Sequence, residues 1–158
     1  MTSDDFQVRP ADPGDLEHLK MLYRHLVPDD VPARPEVQAR TFTDMLNHAG
    51  LTIFIGTLNG SPICSCTLIM VPNFTRGCAP YGFIENVVTH ADFRSCGYGD
   101  RMMQSVFAHA FAEGAYKLML LAGSDNKKGH RFYERAGFQR TKTGFEIRAP
   151  GYPKRTVF

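Results

Sequence analysis

The feature of this sequence with the most chemistry in it is a pair of glycines, Gly97 and Gly99, a short turn beyond an apolar run. The run Ile84-Glu85-Asn86-Val87-Val88-Thr89 reads as a strand, Arg94-Ser95-Cys96-Gly97-Tyr98-Gly99 as a turn, and the residues after it as a helix. Glycine at a helix start lets the backbone take a positive φ and come close to a ligand. The first N–H groups of a helix have no partner inside it and point outward. With the positive end of the helix dipole they form an anion site, and a phosphate group is the natural guest. Arg94 brings a fork of donors to the same place. A plain strand-to-helix turn also uses glycine, so R-x-x-G-x-G by itself leaves both readings open. The phosphate loop G-x-x-x-x-G-K-S/T is absent. Also absent is the third glycine, with an acidic residue about 20 positions on, that a dinucleotide site requires. Cys96, at the helix start, is a candidate nucleophile for a covalent acyl-enzyme, or simply a turn residue. His90 is an alternate base, but it follows the strand directly and is better placed to cap the turn.

Around this segment lies a chain of 158 residues, 43% apolar and 22% charged. That is one domain, 1–158, long enough to bury a core without disulfides or a metal. The composition excludes a disordered tail, a collagen-like fibre and a disulfide scaffold. The net charge of +2 is too small to argue for nucleic acid. Its distribution is uneven. Residues 1–93 carry 6 basic against 11 acidic side chains, and residues 94–158 carry 12 against 5. A basic C-terminal half suits an anionic ligand, or is merely a solvated face. Cys64, Cys66, Cys78 and Cys96 have no zinc spacing, so no metal is expected. Cys64 and Cys66 share one strand face, where half-buried thiols are ordinary. The acidic start lacks an apolar signal region, and no stretch reaches membrane-span length, so no membrane association is expected. Free thiols then point to a reducing cytoplasm.

The elements that must position the turn follow from periodicity. Phe6 to Arg9 reads as a first strand. Asp12 and Pro13 open a helix as N-cap and first residue, and Asp15 favours its dipole. Leu16, Leu19, Leu22, Tyr23 and Leu26 make its apolar stripe. Pro28 and Pro32 break it, and a second helix runs from about Pro35 to His48. Leu51 to Leu58 and Ile63 to Val71 are strands around Asn59-Gly60, the strongest short hairpin signal. A loop to Pro80 leads into the strand Tyr81 to Thr89. Tyr98 to Glu113 is the clearest helix, closed by Gly114. Lys117 to Ala122 is a continuous apolar run, the pattern of a strand buried on both faces. Asn126 to Ala136 is a short helix, with Phe138 to Thr141 and Phe145 to Arg148 as late strands. Hairpins and crossover helices together mean an α/β domain with a mixed sheet.

Two blocks together resemble the GNAT superfamily of N-acetyltransferases. Arg94 to Gly99 matches that family's loop R/Q-x-x-G-x-G/A after a strand. Asn126-Lys127-Lys128-Gly129-His130-Arg131-Phe132-Tyr133-Glu134-Arg135-Ala136-Gly137-Phe138 resembles its segment N-x-x-A-x-x-x-Y-E-K/R-x-G-F, with Gly129 in the usual alanine place. The blocks cover about residues 80–140, one helix and one strand apart, while the first third agrees only in element order. Cys96 stands where a basic residue is common, Tyr98 replaces a smaller aliphatic one, and Asp100 follows the loop directly.

The resemblance implies an acetyl-CoA-dependent acyltransferase with a GNAT-like fold: a mixed central sheet, a splayed fourth strand, and about four helices. The pantetheine arm would pair with Val87, Val88 and Thr89, on the edge that the splay leaves free. The pyrophosphate would sit on the amides of Cys96, Gly97, Tyr98, Gly99 and Asp100, with Arg94 and Ser95 as further cofactor-binding residues of the same loop. Asn126 and Phe132-Tyr133 would flank the arm and thioester, and Lys127, Lys128, Arg131 and Arg135 are equivalent candidates for the ribose phosphate. A primary amine has a pKa near ~10.4 and must lose a proton before it attacks. Glu85, two residues before Val87 on the expected same face and among apolar neighbours, is the candidate base, directly or through water. Otherwise it pairs with an arginine. Tyr133 matches the family's acid for the leaving thiolate, and is otherwise a core tyrosine. The acceptor is a small-molecule or peptide amine, selected by the first two helices and the loops 28–35 and 72–80, where Asp29, Asp30 and Glu36 would attract a cation. The alternative is a CoA-binding domain without catalysis. The tail from Gly151 to Phe158 ends apolar and is a candidate homodimer contact, from family habit.

Overall fold

The computed structural model describes residues 4–154. The expected tail contact beyond Lys154 lies outside them. The chain divides into two compact units, 1–119 and 120–158.

The first unit is a five-stranded sheet with helices on both faces. Its strands are β1 (Phe6–Pro10), β2 (Leu51–Leu58), β3 (Ser61–Val71), β4 (Tyr81–Thr89) and β5 (Leu118–Met119). They lie in the order β1-β2-β3-β4-β5, antiparallel up to β4, with β5 parallel to β4. Its helices are α1 (Leu16–Leu26), α2 (Pro35–Asn47) and α3 (Tyr98–Ala112). The hairpin turn forms where expected, with Asn59 at φ 49° and Gly60 at φ 79°, the geometry of a turn matched to strand twist.

Asp12 does not cap α1 itself. A 3-10 turn, Pro13–Asp15, comes first; the Asp12 side chain accepts from the Gly14 N–H, and Asp15 reaches back to the Asp12 N–H. Asp15 is therefore buried rather than a surface charge at a helix end. Pairing with Arg9 holds its carboxyl far below the usual range, against the opposing effect of burial.

Helices α1 and α2 cover one sheet face, where Leu19, Phe42, Ile53 and Ile55 form a buried cluster. The other face meets α3 through Met102, Met103, Val106 and Ala110, all buried. Phe54 touches His109 of α3 on that side, and Cys66 is the register partner of Phe54. Cys64 and Cys66 are fully rather than half buried. Burial pushes the Cys64 thiol up to about 12 and Cys66 further, so neither is a nucleophile at neutral pH.

The second unit contains α4 (Lys127–Ala136), closed by Gly137 at φ 112°. Two expectations fail in the C-terminal third. The apolar run 117–122 yields only the two-residue, half-buried β5. The late strands at 138–141 and 145–148 are absent, and Phe145 and Ile147 are almost wholly exposed. Alternation supplies a strand with an apolar face, but a strand exists only where a second backbone bonds to it, and among the described residues none pairs with this segment.

Candidate active site

β4 changes register with β3 at its centre. Ser65 faces Val88, but Thr67 faces Glu85, which leaves Asn86 and Val87 together opposite Cys66. That is a β-bulge, and Asn86 takes the left-handed φ of 51°. The bulge overturns simple alternation. Glu85 shares its face with Val88, Ser65 and Thr67, not with Val87 as regular pleating would have it. Glu85 is also exposed rather than enclosed by apolar neighbours. The pairing of β4 with β5 has two rungs, Gly82 to Leu118 and Phe83 to Met119. From Ile84 to Thr89 the β5 side of β4 is an open edge among the described residues. Val87 and Thr89 are half-buried there and Val88 is buried.

Beyond β4 a 3-10 turn, Ala91–Phe93, leads into the exposed loop 94–97. Ser95 at φ 60° and Gly97 at φ 86° bend the chain so that α3 begins at Tyr98. Gly97 stands at the N-cap and no side chain caps the helix there. The first-turn amides of Tyr98 and Gly99 therefore keep donors for an anion. Arg94 is placed differently from the expectation. Its Nε donates to the Thr89 carbonyl at 3.1 Å and its Nη2 to the His25 carbonyl at 2.9 Å. It braces the end of α1 against the loop instead of reaching outward.

His90 caps its turn, with Nδ1 accepting from the Asp92 N–H, and stacks on His25 at 4.0 Å between ring centroids. Burial, then His90 and Arg94, pull the His25 imidazole below its usual value. Cys96 is exposed, its thiol directed at the Arg94 carbonyl. Tyr98 is held by Phe6 and Phe93, and Arg101 lies over Phe6 while pairing with Asp4.

In the second unit Asn126 caps α4 by accepting from the Gly129 N–H at 2.9 Å. A Cβ on residue 129 would stand 2.6 Å from the Asn126 amide nitrogen, so an alanine there requires that side chain to shift. His130 Nε2 lies 2.7 Å from the Gly123 carbonyl and ties α4 to the preceding turn. Phe132 packs edge-on against Tyr133 at 5.0 Å, and Tyr133 against Phe138 at 6.0 Å. Arg135 stacks over Phe132. Asn126, Phe132 and Tyr133 thus share one short helix whose start and ring packing are both fixed.

The acetyltransferase (GNAT) family model matches residues 19–138. The chain belongs to the GNAT family. Glucosamine 6-phosphate N-acetyltransferase of Trypanosoma brucei brucei is 30% identical over 138 residues, 85% of this chain and 90% of that one. The Schizosaccharomyces pombe enzyme of the same name is 34% identical over 86 residues, 54% of this chain and 73% of that one. Among solved structures, a putative acetyltransferase from Agrobacterium tumefaciens superposes with a TM-score of 0.87 at 45% identity. That match covers 90% of this chain and 99% of the other. The GNAT chain is an acyltransferase with the mixed α/β fold of its relatives. Its described residues contain no group of three or more His, Cys, Asp or Glu suited to a metal, and no helix long and apolar enough to cross a membrane.

Three buried hydroxyls that the sequence did not single out belong to Tyr23, Ser65 and Thr67. Tyr23 counted as one residue of an apolar stripe, yet its hydroxyl is buried near Thr67 and Asn86. The available signal was a pair of hydroxyl residues, Ser65 and Thr67, at alternate positions of an otherwise apolar strand.

Proposed function

We propose that this protein transfers the acetyl group of acetyl-CoA to the primary amine of a small molecule, by direct attack in a ternary complex, with glucosamine 6-phosphate the first acceptor to test. The observation that carries the donor is the open β4 edge, Ile84 to Thr89, continuing into a helix start that no side chain caps. An extended amide-bearing arm can pair with such an edge, and a pyrophosphate with such amides. The acceptor is supported by the likeness to the trypanosomal enzyme over 90% of its length.

In this reading acetyl-CoA supplies an activated acyl thioester. A backbone N–H of β4 polarises its carbonyl, and in the tetrahedral intermediate the same donor faces an oxyanion. The amine arrives protonated. Glu85 accepts one proton, the free nitrogen forms the new C–N bond, and that nitrogen releases a second proton to solvent as the C–S bond breaks. Tyr133 gives its proton to the departing thiolate and recovers one from solvent. Products are the amide and CoA. The basic side chains Lys127, Lys128, Arg131 and Arg135 are candidates for the ribose phosphate of the donor.

The test begins with thermal unfolding. Acetyl-CoA at 100 times its Kd should add about 2.7 kcal/mol, which for a chain of this length raises Tm by about 5–11 °C. NADH and ATP should leave Tm unchanged. Thiol release is then followed with glucosamine 6-phosphate, with glucosamine and with simple amines. No shift would remove acetyl-CoA as the donor. A shift with release on other amines but none on glucosamine 6-phosphate would remove the phosphorylated amino sugar. A shift with no release on any amine would leave a CoA-binding domain without catalysis.

A further inference from the structure

A row of aromatic rings joins the last turn of α1 to the start of α3. His25 packs on His90 at 4.0 Å between ring centroids, and His90 meets Phe93 edge-on at 5.7 Å. Phe93 meets Tyr98 at 6.3 Å, and Tyr98 meets Phe6 at 5.0 Å. Tyr98 is the first residue of α3, and its amide is one of the two donors at the uncapped helix start. Arg94 makes a second connection beside the row. Its Nε and Nη2 donate to the carbonyls of Thr89 and His25. One guanidinium therefore ties the end of β4, the end of α1 and the exposed loop 94–97 together. Both connections meet at His25, which supplies its ring to one and its carbonyl to the other.

The two imidazoles make this junction sensitive to protons. His90 Nδ1 accepts from the Asp92 N–H at 3.3 Å, so that nitrogen is bare and the ring carries its proton on Nε2. A second proton on Nδ1 turns the acceptor into a donor. The cap of the 3-10 turn is then lost, and the ring is drawn to the Asp92 carboxylate, 3.9 Å away. A proton on His25 instead places a charge against the His90 ring and the Arg94 guanidinium. The groups that face His25 are His90, Arg94 and Asp92. Its neighbour on α1, Arg24, is exposed. Burial, then His90 and Arg94, disfavour the charged ring. Only Asp92 favours it, and Asp92 is 82% exposed, where water weakens the attraction. His25 thus takes a proton less readily packed than loosened. The packed form is intact above the ordinary imidazole value, near ~6.5, and is lost as pH falls below it.

We propose that the His25–His90 pair is a latch on the donor loop: while both rings are neutral they hold loop 94–97 and the start of α3 in the anion-binding form, and a proton gained by the pair releases them, so that acetyl-CoA binds less tightly in mild acid. The inference rests on the acetyl-CoA reading above. His25 and His90 act here as positioning residues, through Arg94 and through the row of rings. A direct attraction between an imidazolium and the donor's phosphates would have the opposite sign, with binding tighter in acid.

Two readouts test this. The first is the Kd for acetyl-CoA from pH 7.5 to pH 5.5 in wild type, His25→Phe and His90→Asn. Phenylalanine keeps a ring at 25 and asparagine keeps a capping acceptor at 90, and neither titrates. The donor's own phosphates titrate alike in all three proteins, so the quantity read is the ratio of wild-type to variant Kd. That ratio should rise about three- to tenfold from pH 7.5 to pH 5.5, within the tenfold per pH unit that one linked proton allows. A ratio that stays constant would overturn the proposal and leave His25 a purely structural residue. A ratio that falls in acid would overturn it in favour of charge attraction. Absence of acetyl-CoA binding by the wild type at every pH would instead remove the reading on which the inference rests. The second readout needs neither ligand nor variant: an NMR pH titration of the wild type. The His25 imidazole should titrate below ~6.5, and the amides of Gly97, Tyr98 and Gly99 should shift with the same midpoint. Loop amides that ignore that titration would overturn the proposal on their own.

Discussion

Tyr133→Phe is expected to bind acetyl-CoA as tightly as the wild type and to turn over about 10²–10⁴ times more slowly, the span assigned to a general acid or base. The change removes one oxygen and keeps the ring. Phe132 and Phe138 meet that ring edge-on at 5.0 and 6.0 Å, and a phenylalanine makes the same contacts. The start of α4 is held separately, by the Asn126 cap and by His130 on Gly123. Folding and the acetyl-CoA-induced Tm shift should therefore survive. What is lost is the proton for the departing thiolate, which then has to come from solvent. The measurement is thiol release against pH, beside the Tm shift for each protein. A wild-type rate in Tyr133→Phe would remove Tyr133 as the acid. A lost Tm shift would assign it to binding.

The largest stability effect is expected at a residue with no part in the chemistry. Asp15→Ala should lower stability by about 3 kcal/mol, which lies at the lower end for breaking a buried ion pair. In Tm that is about 6–12 °C. The Asp15 side chain is 2% exposed and receives both guanidinium nitrogens of Arg9, at 2.6 and 2.9 Å. It also accepts from the Asp12 N–H at 2.9 Å and lies 3.0 Å from His18 Nδ1. Arg9 is 42% exposed, so its orphaned charge would still meet water, and the cost stays below that of a fully enclosed pair. Because the folded-state pKa of Asp15 is depressed, the unfolded chain takes up the proton first as pH falls. The stabilisation is present above the ordinary carboxylate range, near ~3.9, and is lost progressively below it. The Tm difference between wild type and Asp15→Ala should accordingly narrow from pH 7 to pH 3. An equal difference at both pH values would mean that the carboxylate's charge contributes nothing there.

The same pair shows where reading the chain stops. Asp12, Pro13 and Asp15 carry a helix-start signature that is local, and a start does form there. That Asp15 is buried against Arg9 depends on β1 lying alongside the turn, a tertiary fact. Arg94 is a second case. Its type and its place before Gly97 were legible as a phosphate-loop arginine. Its partners are the carbonyls of Thr89 and His25, and no local pattern announces a bond to a residue 69 positions away.

The sequence alone determined the elements whose signals are local: the Asn59-Gly60 hairpin, the bounds of β2 and β4, α3 opening at Gly97, and α4 between Asn126 and Gly137. It also determined the family, because the two motifs are runs of consecutive residues, complete in the sequence without any partner segment. Tertiary structure decided whatever depends on pairing between distant segments. The bulge at Asn86 exists only in the register of β4 against β3, and it moves Glu85 to the face of Thr67. Tyr23 joins that face only because α1 packs across it. The late strands failed for the converse reason. Residues 138–141 and 145–148 read as strands from their own composition, but composition says nothing of whether another backbone is there to bond with them.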